Sequence, residues 1–195
     1  MSLAQLANVL PLLGVPNGRV FRRRAAQILT RMAEEGARSQ AVLDCIEPWR
    51  LLYLLTRPIP ERIEWAWRTL PTHYLADLNG DNWQHAWLTL LLRNGDCEDW
   101  AVLLAAILKA LGVVASVGVM PGHAAVFVPL MDVGWPFVVE KQHTIPGHWP
   151  IVVHGGRKWL ALEATTDPGS RGAPGTATDL IYPWLNSQLL YIADA

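Results

Sequence analysis

The chain has 195 residues, 51% of them apolar and 17% charged, with a formal net charge of −1. That balance excludes a disordered chain and supplies no global basic field for nucleic acid. Only two cysteines are present, Cys45 and Cys97, and neither sits in a CxxC spacing, which excludes a disulfide framework. A chain of this length is expected to form one domain, with or without an appended arm, and to bury roughly 70% of its unfolded surface without a disulfide or metal. The ten tryptophans read as a bulky core or, for some of them, as the lining of a groove or interface.

In chain order, MSLAQLANVLPLLGVPNGRVFRRR lacks a basic region before its apolar stretch, which Pro11 and Gly14 interrupt. No signal peptide is therefore expected, and a reducing, cytoplasmic compartment at synthesis is the default. No apolar run reaches the roughly 18–20 residues of a membrane span. Residues 1–13 read as a short helix. Asn17 is a candidate cap for a second helix through FRRRAAQILTRMAEEG, with Gly36 as its stop and Arg22, Arg23 and Arg24 as a solvated face. Ser39 is expected to cap a third helix through AVLDCIEPWRLLYLL, with Cys45 as a buried small hydrophobe. Pro58 and Pro60 break the chain before ERIEWAWRTL, a helix with Ile63, Trp67 and Leu70 on one face. THYLADLNGDN reads as a loop, and WQHAWLTLLL as a helix that stops at Asn94-Gly95.

After a further helix headed by Cys97 the period changes. VVASVGVM, HAAVFVPL, WPFVVEKQ, WPIVVHGG and KWLALEATT read as strands, being β-branched, apolar and separated by Pro, Gly or Asp. DPGSRGAPGTATDL reads as a loop, and IYPWLNSQLLYIADA as a last helix or strand. Helices followed by strands predict an α+β domain with a mainly antiparallel sheet.

The chemistry concentrates at RNGDCEDWAVLLAAILKALG, residues 93–112. Cys97 stands at the head of a nearly uncharged helix, where the helix dipole and free N–H groups favour a thiolate and can hold an oxyanion. Asp96, Glu98 and Asp99 oppose ionisation, so a nucleophilic Cys97 needs a cationic partner, most naturally a histidine. Among six histidines, His123 ranks first because it opens the strand HAAVFV; His73, His85, His143, His148 and His154 are the others. Glu163, a carboxylate in the apolar strand KWLALEATT, is the candidate to orient the imidazole, with Asp167 as the fallback. The histidines and Cys97 have no zinc spacing. The acids around Cys97 are oxygen ligands of the kind calcium takes, or helix caps.

These residues carry a resemblance. GDCEDWAVLLAAILKALG resembles the nucleophile block of the transglutaminase-like superfamily of papain-type cysteine enzymes, in its short bacterial and phage forms. GHAAVFV resembles the histidine strand, KWLALEATT the closing block, and YLADLNGDNWQHAWLTLLL the lead-in, over residues 61–166 in all. The resemblance implies a papain-like core with the nucleophile at the head of a buried central helix packed on the sheet. It implies residues 51–195 as the catalytic core, with residues 1–50 as an N-terminal helical extension. By position it makes Cys97 the nucleophile, His123 the general base and acid, and Glu163 the orienting acid where aspartate is usual. Gln84, or Trp83 beside it, would help hold the oxyanion. His85 and Ala86 depart from the usual proline step, and Ala125 stands where many members have tryptophan. In one subgroup the acids flanking the cysteine, here Asp96 and Glu98, bind calcium; otherwise no cofactor is required.

The expectation is a cysteine-dependent acyl-transfer enzyme acting on a protein or peptide amide, a peptidase first and a transamidase or deamidase otherwise. The alternative is a catalytically silent domain used in assembly, for example of a phage particle, in which case it would be virion-associated. In that alternative the N-terminal helices would meet a homo-oligomer or assembly partner.

Overall fold

The computed structural model describes residues 19–70, 75, 82–133, 151–165 and 190–193. The expectations for residues 1–13, Asn17, most of the loop at 71–81, the strand WPFVVEKQ, the tail loop, His73, His143, His148 and Asp167 lie outside the described residues.

Helix α1 (Arg19–Ala37) buries Ala25, Ala26, Leu29, Met32 and Ala33. Gly36 falls inside its last turn rather than ending it. A Cβ there would come within 2.7 Å of the Ala86 Cβ and 3.1 Å of the Ala106 Cβ, so the glycine permits close helix approach.

Ser39 caps α2 (Gln40–Ile46), its side chain accepting from the Val42 N–H. The single helix expected from Ser39 onward is two. Pro48 has no N–H and disfavours helical backbone in the residue before it. Glu47 leaves the helical region, at φ 63° and ψ 128°, and α3 (Pro48–Leu55) starts afresh at the proline. The expectation for Cys45 is also corrected. Val42 and Ile46 take the core face of the short α2, and Cys45 lies exposed beside it.

Helix α4 (Ile59–Thr69) buries Ile63 and Trp67, and Leu70 after it, on the expected face. Helix α5 (Ala86–Leu92) starts later than its apolar pattern suggests, because residues 82–85 are non-helical. Helix α6 (Cys97–Ala110) is buried at every residue from Asp99 to Leu108 and packs against α1, α2, α4, α5 and strand β2.

The strands are β1 (Ser116–Met120), β2 (His123–Pro129), β3 (Ile151–His154), β4 (Arg157–Leu162) and β5 (Tyr191–Ile192), with a short helix α7 (Leu130–Val133) after β2. Their order is β3-β4-β2-β1-β5, and every neighbouring pair is antiparallel. This is the α+β class expected, and the end of the tail proves to be a strand. Along β2 and β4, Ala124, Val126, Val128, Leu160 and Leu162 face the helical core, while Ala125, Phe127, Trp159 and Ala161 face a second apolar cluster. With both faces covered, the strands read as continuous apolar runs rather than as alternating ones. Gly118 on β1 leaves room for the Phe127 ring, which a Cβ would meet well inside contact distance. Among the described residues, no helix is long and apolar enough to cross a membrane.

Candidate active site

The head of α6 is built by two aspartates. The Asp96 side chain accepts from the Asp99 N–H at 3.5 Å, and Asp99 Oδ2 accepts from the Asp96 N–H at 3.3 Å, a reciprocal capping box that makes Cys97 the first residue of the helix. The same Asp99 carboxylate accepts from the Gln84 N–H at 2.7 Å and from Gln84 Nε2 at 2.8 Å, which ties the lead-in segment to the helix head. Asp99 folds back so tightly that a Cβ on residue 95 would stand 2.7 Å from its own Cβ. Hence the glycine two residues before the cysteine. Trp100 Nε1 closes the turn by donating to the Gly95 carbonyl at 2.9 Å.

The Cys97 thiol is buried and donates to Glu98 Oε2 at 2.8 Å. Burial pushes the thiol well above its ordinary range, and the Glu98 charge and hydrogen bond, with Asp96, push it further. The backbone N–H of Ala124 works the other way and favours the thiolate. Asp96 is displaced as well: burial first, then the Glu98 and Asp99 charges, raise its carboxyl to about 8.

Ala124 follows His123, so the sulfur lies against the opening of β2. His123 Nε2 is 2.5 Å from Glu163 Oε2, and the Glu163 side chain is fully buried while that of His123 is 12% exposed. Glu163 lies just past β4, the strand that pairs with β2, so sheet register brings the two residues together. The other carboxylate oxygen, Oε1, accepts from the Thr165 N–H at 2.9 Å and from Thr165 Oγ1 at 2.6 Å. The Glu163 carbonyl accepts from Trp67 Nε1 at 2.6 Å, which anchors this strand end to α4.

No family model, curated protein or solved structure matches the chain.

Of the residues singled out from the sequence, His123 and Glu163 are in direct contact, and Cys97 reaches the backbone next to His123. Gln84 stands at the same helix head. Its carboxamide donates to Asp99, and its Oε1 is buried without a hydrogen-bond partner. Trp83 is half-buried and packs on the core around α6. His85 precedes α5, where its carbonyl accepts from the Leu88 and Thr89 N–H groups. His154 lies at the β3–β4 turn, its ring 5.9 Å from that of Tyr191 on the opposite edge strand, so the sheet curls its edges together. Thr165, Trp67 and Asp99 were not picked out from the sequence as parts of the His123–Glu163 or Gln84 contacts. For Thr165 a signal existed: a Thr two residues after a carboxylate can return both its N–H and its hydroxyl to that carboxylate.

Asp96, Cys97 and Glu98 hold their ligand atoms within 4.8 Å of one another. Calcium takes six to eight oxygen ligands. Two carboxylates and a thiol fall short of that shell, and the Asp96 side chain is already engaged as the helix cap.

Proposed function

We propose that the protein is a cysteine-dependent acyl-transfer enzyme with a transglutaminase-like, papain-type core, acting on a protein or peptide amide through a thioester, in the first place as a peptidase. One observation carries this reading: a fully buried glutamate grips Nε2 of His123, next to Ala124, whose backbone N–H favours the Cys97 thiolate. With Nε2 engaged by Glu163, Nδ1 is the nitrogen left to exchange a proton with the thiol. Cys97 gives its proton to His123, and the sulfur attacks the amide carbonyl carbon. The N–H groups at the start of α6, aided by the Gln84 carboxamide or by Trp83, stabilise the oxyanion. His123 returns the proton to the leaving amine as the C–N bond breaks, and Glu163 holds the imidazolium throughout. Water then cleaves the thioester, with His123 taking its proton, and restores the thiol. An amine in place of water gives transamidation, and a side-chain carboxamide as substrate gives deamidation.

The test is alkylation of Cys97 by iodoacetamide across pH, read by peptide mass spectrometry. The exposed Cys45 serves as the internal reference thiol in the same sample. Faster labelling of Cys97 at neutral pH than in His123→Ala or Glu163→Gln is the expected result. Labelling that is slow and indifferent to both substitutions would refute the ion pair.

A second reading rests on the hydrogen bond from the thiol to Glu98, which holds Cys97 protonated. In it the domain is catalytically silent and serves as a structural or assembly component. Cys97 would then resist alkylation at pH 8 while Cys45 reacts.

A further inference from the structure

We propose that Thr165 is a positioning residue for the reaction, acting through Glu163; this rests on the triad reading above. A glutamate side chain ends in a broad, nearly two-fold torsion, so a buried carboxylate must be told which oxygen faces its partner. Here the division is complete. Oε1 receives both donors of Thr165, and Oε2 is left to His123 Nε2. The hydroxyl contact, at 2.6 Å, is the shorter of the two Thr165 bonds, as expected for a hydroxyl donating to a charged acceptor. Trp67 acts on another atom, the Glu163 carbonyl, so it fixes the backbone while Thr165 fixes the carboxylate.

The consequence reaches the thiol. While Oε2 is held in place, Nε2 keeps its hydrogen and Nδ1 presents its lone pair. Without the hydroxyl, only the Thr165 N–H orients Oε1. The carboxylate then turns more freely, and the imidazolium that must balance a Cys97 thiolate is less well held. The thiol, already disfavoured by burial and Glu98, ionises at higher pH.

The experiment uses the full chain with Thr165→Val, which keeps the shape and the N–H but removes the hydroxyl, and Thr165→Ser, which restores it. The readout is the pH profile of Cys97 alkylation by iodoacetamide, with Cys45 as the internal reference. For Thr165→Val the midpoint is expected to move to higher pH, with labelling at pH 7 slowed by about tenfold, the scale of a lost bond to a charged group. Thr165→Ser should return to within about twofold of the parent, the tolerance of an intact bond, and Cys45 should not change. Thr165→Ala is expected to repeat the shift, which covers the case of a valine variant that does not fold. A Thr165→Val or Thr165→Ala profile like the parent's overturns the proposal, as does a serine variant no better than valine. If His123→Ala labels like the parent, the triad reading falls and takes this proposal with it. If His123→Ala is slow while the Thr165 variants are not, this proposal alone falls.

Discussion

At Cys97 two opposed influences meet in one atom. Burial and the Glu98 carboxylate hold the proton on sulfur, while the Ala124 N–H favours its loss. Glu98→Gln keeps the size and removes the charge. The thiol should then ionise at lower pH, though still above an ordinary cysteine because the burial remains, and alkylation at pH 7 should speed up. An unchanged pH profile would mean that Glu98 does not set the thiol's ionisation. Asp96 makes a prediction about stability. Its carboxyl is raised to about 8 in the folded chain against an ordinary 3.8, so the folded state binds that proton more tightly than the unfolded state. Its contribution is therefore fully present below the ordinary value and is lost as pH rises towards about 8. Asp96→Asn keeps a competent helix cap and should flatten the stability profile between pH 4 and pH 8 in urea melts; an equally steep profile would assign the slope to other groups. Cys97 stood out in the sequence as a thiol at the head of an apolar helix, His123 as the opening of an apolar strand and Glu163 as a carboxylate within one. Thr165 did not, because a threonine at a strand end is ordinary until its two donors are seen on one carboxylate oxygen.

At the scale of elements, the head of α6 shows how much one side chain can organise. Asp99 caps the helix, takes two donors from Gln84 and fills the space above Gly95. Gly95→Ala would set a Cβ 2.7 Å from the Asp99 Cβ, an atom too close to the backbone to move cheaply. Displacing Asp99 breaks the cap and the Gln84 tie together, for an expected loss of about 1–3 kcal/mol. Gly122 is the control. Its φ of 70° strains any side chain, but nothing lies within 4 Å of a Cβ there, so Gly122→Ala should cost about 1 kcal/mol. Thermal melts compare the two, and equal losses would remove Asp99 from the argument. Helix existence was legible from apolar spacing, but boundaries were not where a non-local partner decided them. Residues 83–85 fit a helical pattern and stay non-helical where Asp99, fifteen residues on, takes the Gln84 N–H. A break before Pro48 was within reach of the sequence, since a proline disfavours helical backbone in the residue before it; the positive φ of Glu47 was not.

At the scale of the whole molecule, the placing of Cys97 against His123 and Glu163 depends on a sheet and a helix being held at fixed separation, and α1 is part of what holds them. It lies along α6 and touches β1 and β5 as well. Thr30 gives the contact its direction. Strand β5 pairs with β1 only at Gly118 and Val119, and the neighbouring Val117 N–H donates instead to Thr30 Oγ1 at 2.9 Å. The helix thus completes the sheet's hydrogen bonding where the edge strand stops. None of this was legible in the sequence, because α1 carries no reactive residue and its apolar face does not name its partner. Removing residues 1–37 should therefore do more than shorten the chain. It would expose the side of α6 that Leu29, Met32 and Ala33 cover and take from the Val117 N–H its Thr30 acceptor. The truncated chain is expected to lose cooperative unfolding, and its Cys97 to alkylate faster at pH 7 than in the full chain, since a thiol freed from burial and from Glu98 ionises at lower pH. A truncated chain that still unfolds cooperatively, with Cys97 labelled at the full chain's rate, would mean that α6 and the sheet hold their relation without α1.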